Sequence, residues 1–138
     1  MVQTYSDNNK IYSVDMMFAY INIYKPKSKY IDVKPLLKTL EYKGWGNPQK
    51  NIYYSPLDVI KNPKNKKYKD EIERIEKANM KYPIILDKNN VVDGFHRLTK
   101  AYLSNKKKIK AYVFSKKEMN KFLINKTKDW NKIDKLQI

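Results

Sequence analysis

The sequence contains no cysteine and a single histidine, His96. Disulfides, thiolate zinc sites, cysteine nucleophiles and histidine-rich metal centres are therefore excluded, and no residue set marks a metal site of its own. Glycine occurs only at positions 44, 46 and 94, and arginine only at 74 and 97. No apolar run approaches the length of a membrane span, and no N-terminal signal pattern is visible. An intracellular protein of the cytoplasm or nucleus is expected, not a secreted one. A virion is the other location that its charge would suit. A chain of 138 residues, 41% hydrophobic, is long enough for one domain with a real core.

Basic residues, by contrast, are abundant, and the formal net charge is +16. Such a charge attracts phosphates, nucleic acid and acidic surfaces. Nearly all of it is lysine, and asparagine is also frequent with 14 copies. AT-rich coding produces the same bias, so the charge alone does not separate function from composition. Specific phosphate or base recognition usually recruits the planar fork of arginine. Arg97 and Arg74 therefore carry more information than any one lysine.

Along the chain, aromatic and β-branched residues predict a strand from Phe18 to Tyr24. Asp32 reads as the N-cap of a short helix with Leu36, Leu37 and Leu40 on its apolar stripe and Gly44 as its stop. Residues 44–48 read as a turn or loop, where Trp45 either stacks on a ligand or plugs the core. Ile52 to Ile60 predicts a strand interrupted by Pro56, and Asn62 to Lys67 a basic loop. A helix is expected from Asp70 to Met80, with acids in its first turn. Pro83 to Leu86 reads as a buried strand, joined by a hairpin turn at residues 87–90 to a returning strand at Val91-Val92. A helix from Gly94 to Ser104 follows, with Phe95, Leu98 and Tyr102 on its core side and a left-handed stop at Asn105. His96, Arg97 and Lys100 fall on nearly the opposite side, within about a third of the helical circle. A strand from Ile109 to Phe114 precedes a capping box at Ser115–Glu118 and a final helix over 116–138. On that helix Met119, Phe122, Leu123, Trp130 and Ile133 would line one side.

Four pieces in order carry a resemblance. Tyr54-Ser55-Pro56-Leu57-Asp58-Val59-Ile60-Lys61-Asn62-Pro63 looks like a "Pro-Leu-Asp-x-Ile…Pro" opening. Tyr82-Pro83-Ile84-Ile85-Leu86 is similar to a "Pro-Ile-x-Val" strand. Val92-Asp93-Gly94-Phe95-His96-Arg97-Leu98-Thr99-Lys100-Ala101 looks like an "Asp-Gly-x-His-Arg…Ala" signature, and Ile109-Lys110-Ala111-Tyr112-Val113 like the closing strand. Together they resemble the ParB/sulfiredoxin superfamily over somewhat under half of the chain. The resemblance implies an α+β fold, a small mixed sheet with helices packed on it. Residues 49–115 would form this core, 1–48 an N-terminal extension adding a strand and a helix, and 116–138 a C-terminal helix. It also implies nucleotide phosphates at the signature turn, with His96 and Arg97 at the phosphate-binding His and Arg and Gly94 permitting close backbone approach. Sulfiredoxins need a cysteine where this chain has Phe95, so their chemistry is excluded. The 24 residues after Phe114 are too few for the DNA-binding region of partition proteins. The free-serine-kinase type of member remains the nearest in logic.

Physics alone leaves two readings of the turn. A phosphate could sit on the free N–H groups of the helix start at Gly94, Phe95, His96 and Arg97, with Lys100 adding charge. Alternatively, Asp93 could cap the helix and pair with Arg97. Phosphoryl transfer needs a base or metal-binding carboxylate, for which Asp93, Asp58, Asp70 and Glu71 are the candidates. The expectation is a nucleotide-binding protein using ATP or ADP with Mg²⁺, CTP being less favoured. It would act as a kinase on a small hydroxylated acceptor such as an amino acid, or as a nucleotide hydrolase. A nucleic-acid-binding protein or nuclease using the Lys-rich surface, and a non-catalytic structural or virion-associated module, are the alternatives.

Overall fold

The computed structural model describes residues 3–126. Among them are nine strands and five α-helices, and the class is α+β. In chain order they are β1 (Thr4–Asp7), β2 (Lys10–Ser13), α1 (Val14–Tyr24), β3 (Lys29–Asp32), β4 (Trp45–Asn47), β5 (Ile52–Tyr54), α2 (Pro56–Lys61) and α3 (Lys69–Lys77). They continue with β6 (Ile84–Asp87), β7 (Asn90–Asp93), α4 (Phe95–Leu103), β8 (Lys108–Phe114), α5 (Lys116–Lys121) and β9 (Leu123–Lys126).

The central sheet has the order β3-β8-β6-β7, with β6 and β8 parallel and the outer pairs antiparallel. β6 is buried along its whole length, and its alternating side chains enter two cores. Ile84 and Leu86 meet Leu98 and Ala101 of α4 and Leu36 and Leu40 of a 3-10 helix, Lys34–Glu41. Ile85 joins Val14 and Met17 of α1 with Phe114, Met119 and Phe122 on the other face. A second sheet, β1-β2-β9, lies with that second core. The β4–β5 hairpin packs with α2 and α3 around Val59, Tyr68 and Ile75.

Several expectations are corrected. Phe18 to Tyr24 is helical, because Ser13 Oγ accepts the Met16 N–H at 3.1 Å and the buried Val14 and Met17 anchor a helical face. Strand propensity is weaker than a cap plus packing. Asp32 is no N-cap: it ends β3, 3.2 Å from Lys108 Nζ across the ladder. The 3-10 helix after it, Lys34–Glu41, lies between caps at Val33 and Tyr42 and ends short of Gly44. Trp45 lies in a strand instead of a loop. Pro56 does not interrupt a strand but opens α2 within its first turn, with Ser55 and Asp58 closing a capping box. α3 ends at Lys77, short of Met80. Tyr102, expected in the core, is 39% exposed, and Thr99 and Ala101 are buried in its place. The expected final helix stops at Lys121, since Leu123–Lys126 completes the open edge of β2 as an antiparallel strand. Trp130 and Ile133 lie outside the described residues. Residues 1–48, expected to add one strand and one helix, hold four strands, β1 to β4, with β3 in the central sheet.

Asp87 ends β6 as a buried carboxylate, 8% exposed. Burial, then the negative charge of Asp7, pushes its carboxyl above the usual range. An acid raised in the folded state holds its proton more tightly there than in the unfolded chain. Its ionisation therefore costs stability as pH rises through the folded value, and that cost persists at neutral pH. Asp87→Asn keeps an acceptor for the Tyr5 hydroxyl, whose oxygen is 3.5 Å from the carboxylate. The variant is expected to melt at a higher temperature than wild type at neutral pH. In calorimetric scans the gap should close as pH falls below the carboxylate range.

Candidate functional site

The β7–α4 turn and the facing helix α3 enclose an open cleft of about 750 Å³. That volume suits a small ligand of nucleotide size. One wall is Asp70, Glu73, Arg74 and Lys77 of α3, followed by Asn79 and Tyr82. The other is Asp93, Gly94, Phe95, His96 and Arg97, with Trp45 and Gln3 contributing at the margins. β7 brings the chain up to Gly94, which turns at φ +113° and serves as N-cap of α4. No side chain caps this end, so Asp93 does not occupy the first-turn N–H groups.

Asp93 instead accepts from Arg97 Nη2 at 2.8 Å. Arg97 Nη1 donates to the carbonyls of Tyr82 and Pro83 at 2.9 and 2.8 Å. The guanidinium, only 17% exposed, thus ties α4 to the segment leading into β6. Lys100 leaves the cleft altogether. Its ammonium donates to the carbonyls of Glu76 and Ala78 at 2.7 and 2.9 Å, capping the end of α3. The hydrogen that stands for a side chain on Gly94 points at Ile84 in the core, not into the cleft. The missing side chain therefore makes room for Ile84, and not for the phosphate expected from the sequence.

His96 is held on two sides. Its ring stacks on the Trp45 indole, with centroids 4.4 Å apart and planes 15° from parallel. Its Nε2 lies 3.2 Å from Glu71 Oε2. Glu71 is buried, and its other oxygen accepts from Arg74 Nη1 at 3.3 Å. Arg74 is thus ion-paired, yet its side chain remains 67% exposed on the cleft wall. Trp45 both stacks on the His96 ring and packs beside the α2–α3 core.

Of the four carboxylates expected to serve catalysis, only Asp70 lines the cleft as an exposed side chain outside the ion pairs of the described residues. Asp93 is paired with Arg97, and Glu71 sits behind His96. Asp58 is remote, the acid of the α2 capping box. The Ser55 backbone N–H holds its carboxyl below the usual range, with Lys43 at 3.7 Å adding to this. Lys77, Asn79, Tyr82 and Glu73 line the cleft without having been singled out from the sequence. The one available signal was the i, i+3, i+4, i+7 spacing of Asp70, Glu73, Arg74 and Lys77, which places them on one helical face. Among the described residues, no group of three or more His, Asp or Glu side chains could hold a metal ion. Nor is any helix among them long and apolar enough to cross a membrane.

No protein-family model, curated protein or solved structure matches this chain.

Proposed function

We propose that this cleft binds the phosphates of a nucleotide, ATP or ADP. The observation that carries the reading is the uncapped start of α4, opening into a cleft of nucleotide size with Arg74 and Lys77 on the facing wall. Amide groups at a helix start favour an anion through their N–H bonds and their partial positive charge. The likeness of residues 92–101 to the phosphate-binding signature of ParB/sulfiredoxin proteins supports the same reading. Asp70 and Glu73 on the wall offset Arg74 and Lys77, and Asp93 offsets Arg97. Selection of phosphate therefore falls to the amide groups and His96 more than to net side-chain charge.

Among the described residues no group of three or more His, Asp or Glu side chains is assembled to hold a resident Mg²⁺. An ion arriving with the nucleotide would need only one or two carboxylates, and Asp70 and Glu73 stand on the cleft wall. Transfer to a small hydroxylated acceptor is a further step of the same reading. It calls for a proton acceptor at the ligand; Asp93, Asp58 and Glu71 are engaged elsewhere, and Asp70 and Glu73 are the carboxylates that the cleft offers.

Arg74 and Lys77 give the test, both being exposed; Arg74 also bonds the buried Glu71, so Lys77→Gln alone is the control that breaks no ion pair among the described residues. Titration calorimetry with ATP, ADP and CTP is expected to show binding. In Arg74→Gln/Lys77→Gln the affinity should fall roughly tenfold, the loss expected when one or two charge-assisted contacts go. Absence of binding by all three nucleotides to wild type sinks the reading.

A further inference from the structure

His96 is the sole imidazole of the chain, and it is posed in an unusual way. Nε2 faces a buried carboxylate, one ring face is covered by an indole, and the ring lines the cleft. Glu71, acting as acceptor, selects the form of the ring that carries hydrogen on Nε2. Nδ1 makes no hydrogen bond among the described residues. No buried side-chain nitrogen or oxygen there lacks a partner, so Nδ1 must be open to solvent. With one proton, the ring presents a lone pair at Nδ1, which repels a phosphate oxygen. With a second proton on Nδ1, it presents a donor and a positive charge.

We infer that His96 meets its ligand as the imidazolium, giving Nε2–H to Glu71 and Nδ1–H to a phosphate oxygen, so that phosphate binding takes up a proton. The inference rests on the phosphate reading above and adds the protonation state that the site requires. The proton moves from the buffer acid to Nδ1, and no other bond changes. Glu71 acts as a positioning residue and counter-ion, while Trp45 keeps the ring plane fixed.

The charges around the ring can be named. From α3 they are Glu71 with Arg74 bonded to it, then Asp70, Glu73 and Lys77 along the wall. From the β7–α4 turn they are Asp93 and Arg97, paired with each other. From β4 there is only the Trp45 indole. From β5 there is Tyr54, whose phenol burial raises, helped by the Glu71 charge. An arriving phosphate adds about two negative charges to this set. It shifts the balance toward the imidazolium, and by linkage the protonated ring then holds the phosphate more tightly.

The probe is ADP, titrated near pH 8, where its own phosphates are already ionised. Calorimetry in two buffers of different ionisation enthalpy reads the protons taken up per ADP bound. Wild type is expected to take up a measurable fraction of one proton, with affinity falling by up to about tenfold per pH unit as pH rises. His96→Gln should abolish both the uptake and the pH slope. Glu71→Gln keeps an acceptor for Nε2–H but removes the charge, and should move the slope to lower pH. Nitrogen-15 spectra of the single imidazole make the test independent of whether Glu71→Gln folds. In the ADP complex both ring nitrogens should appear protonated. Binding without buffer dependence, or a ring nitrogen that stays unprotonated in the complex, overturns the inference while the phosphate reading stands. Absence of ADP binding takes down both.

Discussion

Arg97→Ala is expected to destabilise the fold by roughly 2–4 kcal/mol, well beyond any effect on a ligand. The guanidinium makes three hydrogen bonds, two to backbone carbonyls and one to Asp93. Truncation strands the Tyr82 and Pro83 carbonyls and leaves Asp93, 21% exposed, without its counter-charge. Removing one member of a partly buried pair costs more than the pair contributes, because the other charge stays behind. Arg97→Lys should recover only part of the loss, since an ammonium cannot span three acceptors in the plane of a guanidinium. Urea denaturation reads the effect directly. An Arg97→Ala midpoint within error of wild type is incompatible with this bracing role. A loss of nucleotide binding in Arg97→Ala would, for the same reason, reveal little about the site. Lys77→Gln is the informative variant, since its charge is solvent-facing, whereas Arg74 also pairs with the buried Glu71.

Those two arginines show what was legible in the sequence. Scarcity marked both, and the Asp93–Arg97 turn was correctly placed between a strand and a helix. The hairpin at 87–90, the start of α3, most of α4 and the Ser115–Glu118 cap were legible too, because cap and turn chemistry is local. The pairing of Arg97 with Asp93 was one of the two readings of the turn; the other partners of Arg97, and those of Lys100, were not legible. These acceptors are main-chain carbonyls 14 to 24 residues away, and a carbonyl is present at every position whatever its side chain. The stack of Trp45 on His96 joins residues far apart in sequence and depends on how the β4–β5 hairpin meets α3 and α4. α1 was misread for a different reason. Its apolar residues point all round the helix, so no 3.6-residue period separated it from a strand, and Met16, Ile23 and Tyr24 remain exposed. β9 was missed because a strand that completes an existing edge draws its hydrogen bonds from a partner more than a hundred residues earlier.

The same distinction between local and distant causes bears on Gly94, where both operate. Its φ of +113° is a conformation that residues with a side chain rarely adopt. That part of the requirement is local and costs any replacement roughly 1–3 kcal/mol. The second part comes from β6: an added Cβ would collide with the Ile84 side chain, which is fully buried and β-branched. Overpacking of this kind costs a further ~1–3 kcal/mol. Gly94→Ala is therefore expected to lose roughly 2–6 kcal/mol, the sum of these two terms. The terms can be partly separated by a double-mutant cycle with Ile84→Ala, which removes the colliding Cγ2 methyl but leaves the Ile84 Cβ, 2.7 Å from the added carbon, and the backbone strain. The double variant should be more stable than the sum of the two single losses by about 1 kcal/mol or more. Strict additivity would assign the cost to the backbone and to the Cβ that remains. In either case the loss falls on the junction that aims the first turn of α4 at the cleft, so nucleotide affinity should fall with stability. Lys77→Gln, by contrast, should lower affinity with the melting temperature unchanged, and measuring both quantities on both variants separates what builds the turn from what the turn binds.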